Sequence, residues 1–167
     1  MRKNNFYTII FQALIIILSI PINVFTTAYS ENRFPKSSII LICIHTCVLI
    51  IIFIIFGFKK IKVTRNIFSD LFSVVVGNGI LFIITIIAFV GNISYLWSIV
   101  ILFNFPFYPL ICLLREFVFS AFRYGVLECL FVCFSFVPTI LIWFGLILKR
   151  KVLKSHRDGS TVLTKTK

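Results

Sequence analysis

The sequence predicts an all-α protein: a multi-pass membrane helical bundle of four spans, with a proline-broken re-entrant or fifth membrane segment and an interfacial amphipathic helix. Composition is the first reason, because 60% of the residues are hydrophobic and 13% are charged, whereas a soluble domain is about half apolar and about one quarter charged. The second reason is five apolar runs of about 20 residues, the length with which a helix crosses ~30 Å of hydrocarbon. The strict alternation of a membrane β-barrel is absent from these runs.

Polar and basic segments separate the five runs. The predicted spans are residues 6–26, 38–58, 71–90 and 128–148, and the proline-broken membrane segment is residues 95–114. Together with interfacial residues 115–127 they form a single membrane domain, residues 1–148. Residues 149–167 form a basic tail, which we expect to be cytoplasmic, disordered and attracted to anionic lipid headgroups.

The first run has a second interpretation. Arg2 and Lys3, a long apolar stretch and small residues up to Ala28 are also typical of a secretory signal that is cleaved after Ala28. The apolar stretch is long for a signal, and Gln12 interrupts it, so we favour an uncleaved span. Both interpretations place Tyr29 on the outer side, so the orientation of the remaining runs does not depend on this choice.

Basic residues indicate the orientation of the runs, because Lys and Arg in short loops resist translocation. With the N-terminus inside and four crossings, thirteen Lys and Arg residues lie on the inner side and four on the outer side. With five crossings from the same start, the two sides hold eight and nine, which is no bias. Five crossings with the N-terminus outside also place the tail inside, but they export the basic cluster at residues 59–65. The sequence therefore predicts four crossings with both termini cytoplasmic.

An even number of crossings requires that one run does not cross fully, and residues 95–114 are the best candidate. Pro106 and Pro109 remove two backbone donors and clash with the preceding turns. Such a segment can enter the bilayer and return where other helices bury its backbone. A complete fifth span is the alternative, because membrane helices tolerate proline.

Residues 113–127 follow this segment with a helical pattern of polarity. Glu116, Ser120 and Arg123 recur on one side, and apolar residues occupy the other. This pattern is typical of a helix that lies in the membrane interface. We favour a connector that rests on the headgroups over a lid or a partner-docking helix.

Four polar residues are the candidate substrate-binding residues: Asn78, Asn104, Arg123 and Glu128. Asn78 lies about 12 Å into its span, where an amide needs a partner, and it is flanked by Gly77 and Gly79. The glycines predict either a helix–helix contact held by one hydrogen bond or a local break that contacts a substrate. We favour the helix–helix contact.

Two acidic residues lie close to the ends of apolar runs. Glu128 begins the last run, and an ionised carboxylate is costly in hydrocarbon. We expect it either to bind a proton or cation, with Arg123 or Arg115 as its partner, or to lie at headgroup depth. Asp70 precedes the third run, where Ser69 or Asp70 is expected to cap the first helical turn.

Five cysteines raise redox and metal hypotheses. Cys43 and Cys47, like Cys129 and Cys133, lie four residues apart, which places each pair on one helix face, but the Cys-x-x-Cys motif of thiol oxidants is absent. His45 lies about 200° around the helix from Cys43, so one ion cannot easily contact both. We therefore expect packing cysteines, no metal site and no cofactor.

The remaining patterns bear on function mainly by exclusion. The sequence contains no Ser–His–Asp grouping, phosphate loop or metalloprotease motif, and its basic residues form no aromatic-interleaved face for nucleic acid. We expect a protein without catalytic activity: an accessory, immunity or regulatory subunit of a membrane complex in a bacterial plasma membrane. Its partners are then the lipid bilayer and another membrane protein or a second copy. A small transporter or substrate-binding subunit is the first alternative, and a membrane thiol-redox protein is the second.

Overall fold

The computed structural model describes residues 2–28, 36–91, 93–117 and 126–164. Within these ranges the chain forms seven α-helices, one short 3-10 helix and no strand. They are α1 (Arg2–Ala28), α2 (Lys36–Lys60), α3 (Ile67–Gly91), α4 (Ser94–Asn104), the 3-10 helix (Phe105–Phe107), α5 (Tyr108–Phe117), α6 (Val126–Phe134) and α7 (Val137–Thr164). The predicted all-α, multi-pass helical bundle is confirmed.

The helices are apolar enough and long enough to cross a membrane. The candidate spans are Lys3–Val24, Ser38–Lys60, Tyr95–Arg115 and Cys129–Ser155, and α3 adds a bent pair, Ile67–Val76 and Asn78–Gly91. The segment with the two prolines is thus one helical stretch with a 3-10 turn in it. The sharper bend, 56°, lies instead in α3 at Gly77. The number of complete crossings stays a prediction.

The outer surface of the bundle is apolar along its helices. Leu18 is 69% exposed, Ile40 is 60% exposed and Val90 is 77% exposed, whereas Asn78 and Thr85 are buried. In water such a surface would associate with other apolar surfaces, but in a bilayer the acyl chains solvate it. The protein is therefore a multi-pass membrane protein.

Two glycines allow α2 and α7 to pack backbone to backbone. A Cβ at Gly57 would collide with the carbonyl oxygen of Ile142 and lie 2.9 Å from its carbonyl carbon. A Cβ at Gly145 would collide with the carbonyl oxygen of Ile54 and lie 2.9 Å from the nitrogen of Phe58. Small residues at such crossings allow the close packing on which helix association in lipid depends. This pair of helices has the most extensive interface among the described elements.

Aromatic side chains fill the space between α1, α2 and the 3-10 helix. Phe53 stacks on Phe107 with ring centroids 6.1 Å apart, and Phe11 meets Phe53 edge-on at 5.4 Å. Phe53 and Phe107 are almost fully buried. Such ring pairs contribute attraction beyond the area that they bury, so they hold the proline turn against the two helices.

The start of α1, the α2–α3 loop and the middle of α7 meet at one end of the bundle, here called the basic end. Asn4 Nδ2 donates to the carbonyl oxygen of Lys62 at 2.8 Å, and Lys149 Nζ donates to that of Ile61 at 2.8 Å. The cations gathered at this end are Lys3, Lys59, Lys60, Lys62, Arg65, Lys149, Arg150 and Lys151. Helices α1 and α3 therefore run away from the basic end, and α2 and α7 run towards it.

The segment from α4 to α5 changes neighbours along its length. Helix α4 packs mainly against α3, the 3-10 helix packs against α1, and α5 packs against α2 and α6. Helix α1 contacts all three parts of the segment, whereas α3 is replaced by α2 along its length.

Two expectations from the sequence are wrong. The tail was expected to be disordered from residue 149, but α7 continues as a helix to Thr164, because a helix already nucleated in the membrane elongates at little cost. The cap of α3 is neither Ser69 nor Asp70: Asn66 Oδ1 accepts from the backbone nitrogen of Ser69 at 2.7 Å. Most of the predicted interfacial helix, including Arg123, lies outside the described residues.

Candidate functional site

A chain of hydrogen bonds joins three helices in the interior. Gln12 Nε2 on α1 donates to Asn78 Oδ1 on α3 at 2.6 Å, and Asn78 Nδ2 donates to Thr139 Oγ1 on α7. All three side chains are buried, and Asn78 is 1% exposed. The interior amide that the sequence singled out thus has partners on two other helices, one more than the single hydrogen bond expected for it.

Gln12 belongs to a stripe of polar residues on the buried face of α1. The members of this stripe are Asn4, Thr8, Gln12, Ser19 and Asn23. Their spacings of four and seven keep them on one side of a helix. Thr8 and Ser19 donate back to carbonyl oxygens four residues earlier, whereas Asn4, Gln12 and Asn23 reach other elements. Sequence reasoning noticed Gln12 but missed the stripe, although its spacing was a readable signal.

The proline turn is held by side chains from other helices. Pro109 has no N–H to donate to the carbonyl oxygen of Phe105, and Asn23 Nδ2 donates to that oxygen at 2.9 Å. The 3-10 geometry supplies a further donor, the backbone nitrogen of Tyr108. His45 Nε2 lies 3.2 Å from the carbonyl oxygen of Pro106 and donates when Nε2 carries the proton. The backbone of this turn is therefore satisfied inside the bundle, as lipid requires.

Asn104 lies just before the turn and binds the α6–α7 junction. Its Nδ2 donates to Ser135 Oγ at 3.3 Å and to the carbonyl oxygen of Val100 at 3.0 Å. Ser135 is four residues before Thr139, the partner of Asn78. The two candidate amides thus bind adjacent turns of the last membrane segment, although neither is bonded directly to the other.

The remaining candidate positions fare differently. Glu128 lies in α6, but its side chain is outside the described part of the structure, as is all of Arg123. Gly79 does not mark a close helix contact, because nothing lies within 4 Å of a Cβ placed there. At the other flanking glycine, Gly77, helix α3 bends by 56°; the contact with a substrate that the sequence analysis linked to such a break stays a prediction.

A charged cluster at the basic end was not predicted from the sequence. Asp70 is fully buried, and its Oδ2 accepts from Arg150 at 2.6 and 3.1 Å. Its Oδ1 accepts from the backbone nitrogen of Thr64 at 2.6 Å and from the Thr64 hydroxyl at 2.9 Å. Arg150 also donates to the carbonyl oxygen of Thr64. This arrangement fastens the α2–α3 loop to α7, and we call it the Asp70 clamp.

The structure contains five free thiols, and those of Cys43, Cys47, Cys129 and Cys133 are exposed on the outside of the bundle. Cys112 is half-buried. Among the described residues, no three His, Cys, Asp or Glu side chains come close enough together to hold a metal ion.

No family model, characterised protein or solved structure matches this chain.

Proposed function

We propose that this protein has no catalytic activity and serves in the cell membrane as an accessory, immunity or regulatory subunit of a larger membrane complex. The observation that carries the proposal is the Gln12–Asn78–Thr139 chain. A substrate site keeps polar groups available for its ligand, whereas the Asn78 carbonyl and amide each bind a neighbouring helix. Because these polar groups bind other helices of the bundle, they support a structural role for the interior. The protein would then act through the partners that its outer surface contacts.

A small transporter is the second candidate, and the bend in α3 is the observation that favours it. Transporters place substrate sites near the bilayer midplane at breaks in their helices. Asn78 is the first residue after the bend, and Asn104 binds the adjacent part of the last segment. In this alternative the amide chain opens to admit a polar substrate.

Substitutions in the amide chain test its structural role. Thr139→Val leaves the Asn78 amide without its acceptor, so we expect a loss of about 1 kcal/mol in the free energy of unfolding. Thr85→Val is the matched control and should cost less, because among the described residues the Thr85 hydroxyl donates to the carbonyl oxygen of Leu81 on its own helix. The triple variant Q12L/N78L/T139V removes every member of the chain and should regain most of the lost stability. Thermal unfolding of the full chain in detergent measures each value.

The triple variant also separates the two candidate functions. If the protein is a subunit, the folded triple variant should still assemble at wild-type stoichiometry in a native gel of mildly solubilised membranes. If it is a transporter, the folded triple variant should lose uptake in cells or vesicles. A wild-type protein that migrates alone and transports a solute would overturn the subunit proposal.

The positions of charged residues support an orientation with the basic end in the cytoplasm. The end of α2, the start of α1 and the middle of α7 bring their cations together there, and short basic loops stay on the cytoplasmic side. Helix α7 runs antiparallel to α3, because Trp143 donates to Ile67 and Phe136 packs against Phe82. Both ends of the segment between α3 and α6 then lie away from the basic end, which supports an even number of crossings.

Accessibility labelling tests this orientation. In a variant whose five native cysteines are replaced, a cysteine at the exposed Ser155 should react with a membrane-impermeant maleimide only after the cells are opened. A cysteine at Ser120, which lies outside the described residues, should react in intact cells. Reaction of both positions from the same side would contradict the four-crossing arrangement.

A further inference from the structure

We propose that a groove between α1 and α2 binds one anionic phospholipid, with its phosphate at Lys60 and its two acyl chains on either side of a phenylalanine stack. The proposal depends on the membrane location and not on the identity of any protein partner.

The stack is formed by Phe11 of α1 and Phe56 of α2, whose rings are parallel within 2° and have centroids 3.8 Å apart. Phe11 also meets Phe53 edge-on, so the stack is anchored in the core. It joins two helices whose backbones make little contact of their own. The space beside the stack is therefore a groove that is open to lipid.

Two hollows share this stack. The larger has a volume of about 550 Å³ and is walled by Tyr7, Ile10 and Leu14 of α1. The smaller has a volume of about 220 Å³ and is walled by Ile52 and Ile55 of α2. Phe11, Phe56 and Lys60 line both of them. Each wall is apolar and follows the i, i+3, i+4 spacing of one helix face, so each hollow is an elongated slot along the helices.

Charge is present at one end of the hollows only. Lys60 lies one helical turn beyond Phe56, at the basic end, and Lys59 and Lys62 line one hollow each. The residues that line the two hollows include no carboxylate. Asp70 is the one carboxylate among the side chains that the structure describes, and Arg150 engages it. The site thus offers uncompensated positive charge at headgroup depth and apolar slots towards the membrane interior.

A phospholipid fits this arrangement better than a protein helix does. Interfaces between membrane helices are enriched in small residues, which allow the backbones to approach. The walls of the two hollows consist instead of Phe, Tyr, Ile and Leu. The close-approach residue of α2, Gly57, faces α7 instead. A double-chain lipid with an anionic headgroup matches two apolar slots that meet beneath one lysine.

Native mass spectrometry of the full-length protein tests the proposal. We expect one phosphatidylglycerol to remain bound after transfer from nanodiscs of equal phosphatidylglycerol and phosphatidylcholine, and free glycerol 3-phosphate should not displace it. The variant K60Q/K62Q should lower the preference for phosphatidylglycerol by roughly thirty-fold, as expected for two interfacial lysines. The control K151Q/K154Q removes the same charge from exposed positions of α7 and should change the preference by less than about two-fold.

A second pair of variants tests the slots without changing charge. Leu14→Trp fills the larger hollow and should reduce lipid retention at least about five-fold. Leu18→Trp, one helical turn further along the same helix and outside the lining of both hollows, should not. Lipid binding is compared only between proteins that have the same thermal stability in detergent. Equal losses in the two lysine pairs would mean surface attraction only, and they would overturn the site. A photo-reactive amino acid placed at position 10 should crosslink to lipid, and a crosslink to protein instead would overturn the proposed site as well.

Discussion

Replacing Gly57 with alanine is expected to destabilise the bundle by about 3 kcal/mol or more, towards the upper range for overpacking substitutions. The added Cβ would collide with the backbone carbonyl of Ile142, and a backbone atom cannot rotate away as a side chain can. Helices α2 and α7 must therefore separate, which loosens the most extensive interface among the described elements. Gly145→Ala should act in the same way, because its Cβ meets the backbone of Ile54 and Phe58.

Gly79→Ala is the matched control for both variants. Gly79 is also a glycine within a membrane helix, but a Cβ placed there meets nothing within 4 Å. Alanine is the better helix former by about 0.5–1 kcal/mol, so this variant should be neutral or slightly stabilised. Unfolding in increasing SDS, followed by circular dichroism, compares the three. If Gly57→Ala unfolds at the same detergent composition as Gly79→Ala, the close packing of α2 and α7 is wrong.

The fold could be predicted from the sequence, but the packing role of these glycines could not. The apolar runs alone predict the helical membrane bundle, because a length of about 20 apolar residues has few other stable forms in lipid. Gly57 and Gly145, however, each stand alone in an apolar run, without the small-xxx-small spacing that marks a helix contact. Only the pairing of α2 with α7 gives them a role, and pairing depends on contacts far apart in the chain.

The candidate site was predictable to a similar extent. Asn78 was identified because an amide deep in an apolar run must find a partner, and it has two. The identity of those partners could not be read from the sequence, since Gln12 and Thr139 are 66 and 61 residues away. The α-helix of the fourth segment is interrupted at the prolines, as the sequence predicted, and Asn23 and the 3-10 geometry supply the donors that satisfy the turn.

The ion pair of Asp70 could not be predicted from the sequence. Its position before an apolar run is typical of a helix cap, and no pattern links it to Arg150, 80 residues later. A carboxylate that is fully buried requires a countercharge and several donors, and the fold supplies both from α7 and the α2–α3 loop. Long-range neutralisation of this kind is decided by tertiary packing and leaves no local spacing to detect.

Arg150→Met should therefore be among the most destabilising single substitutions, with a loss of about 3–5 kcal/mol. It leaves the Asp70 carboxylate buried, with Thr64 as its remaining partner among the described residues. Asp70→Asn should cost less, because Arg150 is 26% exposed and its guanidinium can turn towards water. The double variant D70N/R150M removes both charges and should be more stable than R150M alone.

Lys151→Met is the matched control for the clamp, since Lys151 is the next residue of α7 and is exposed. Thermal unfolding in detergent and the rate of proteolysis within residues 61–66 measure the effect on the bundle and on the α2–α3 loop. Because Asp70 is fully buried, its interaction with Arg150 is weakly screened, and the loss in R150M should persist at high salt. A loss no larger than that of Lys151→Met, or one that vanishes with salt, would show that the pair is a surface contact. R150M should cost more stability than D70N because of burial alone. Asp70 cannot reach water when its partner is removed, whereas Arg150 is partly exposed and can.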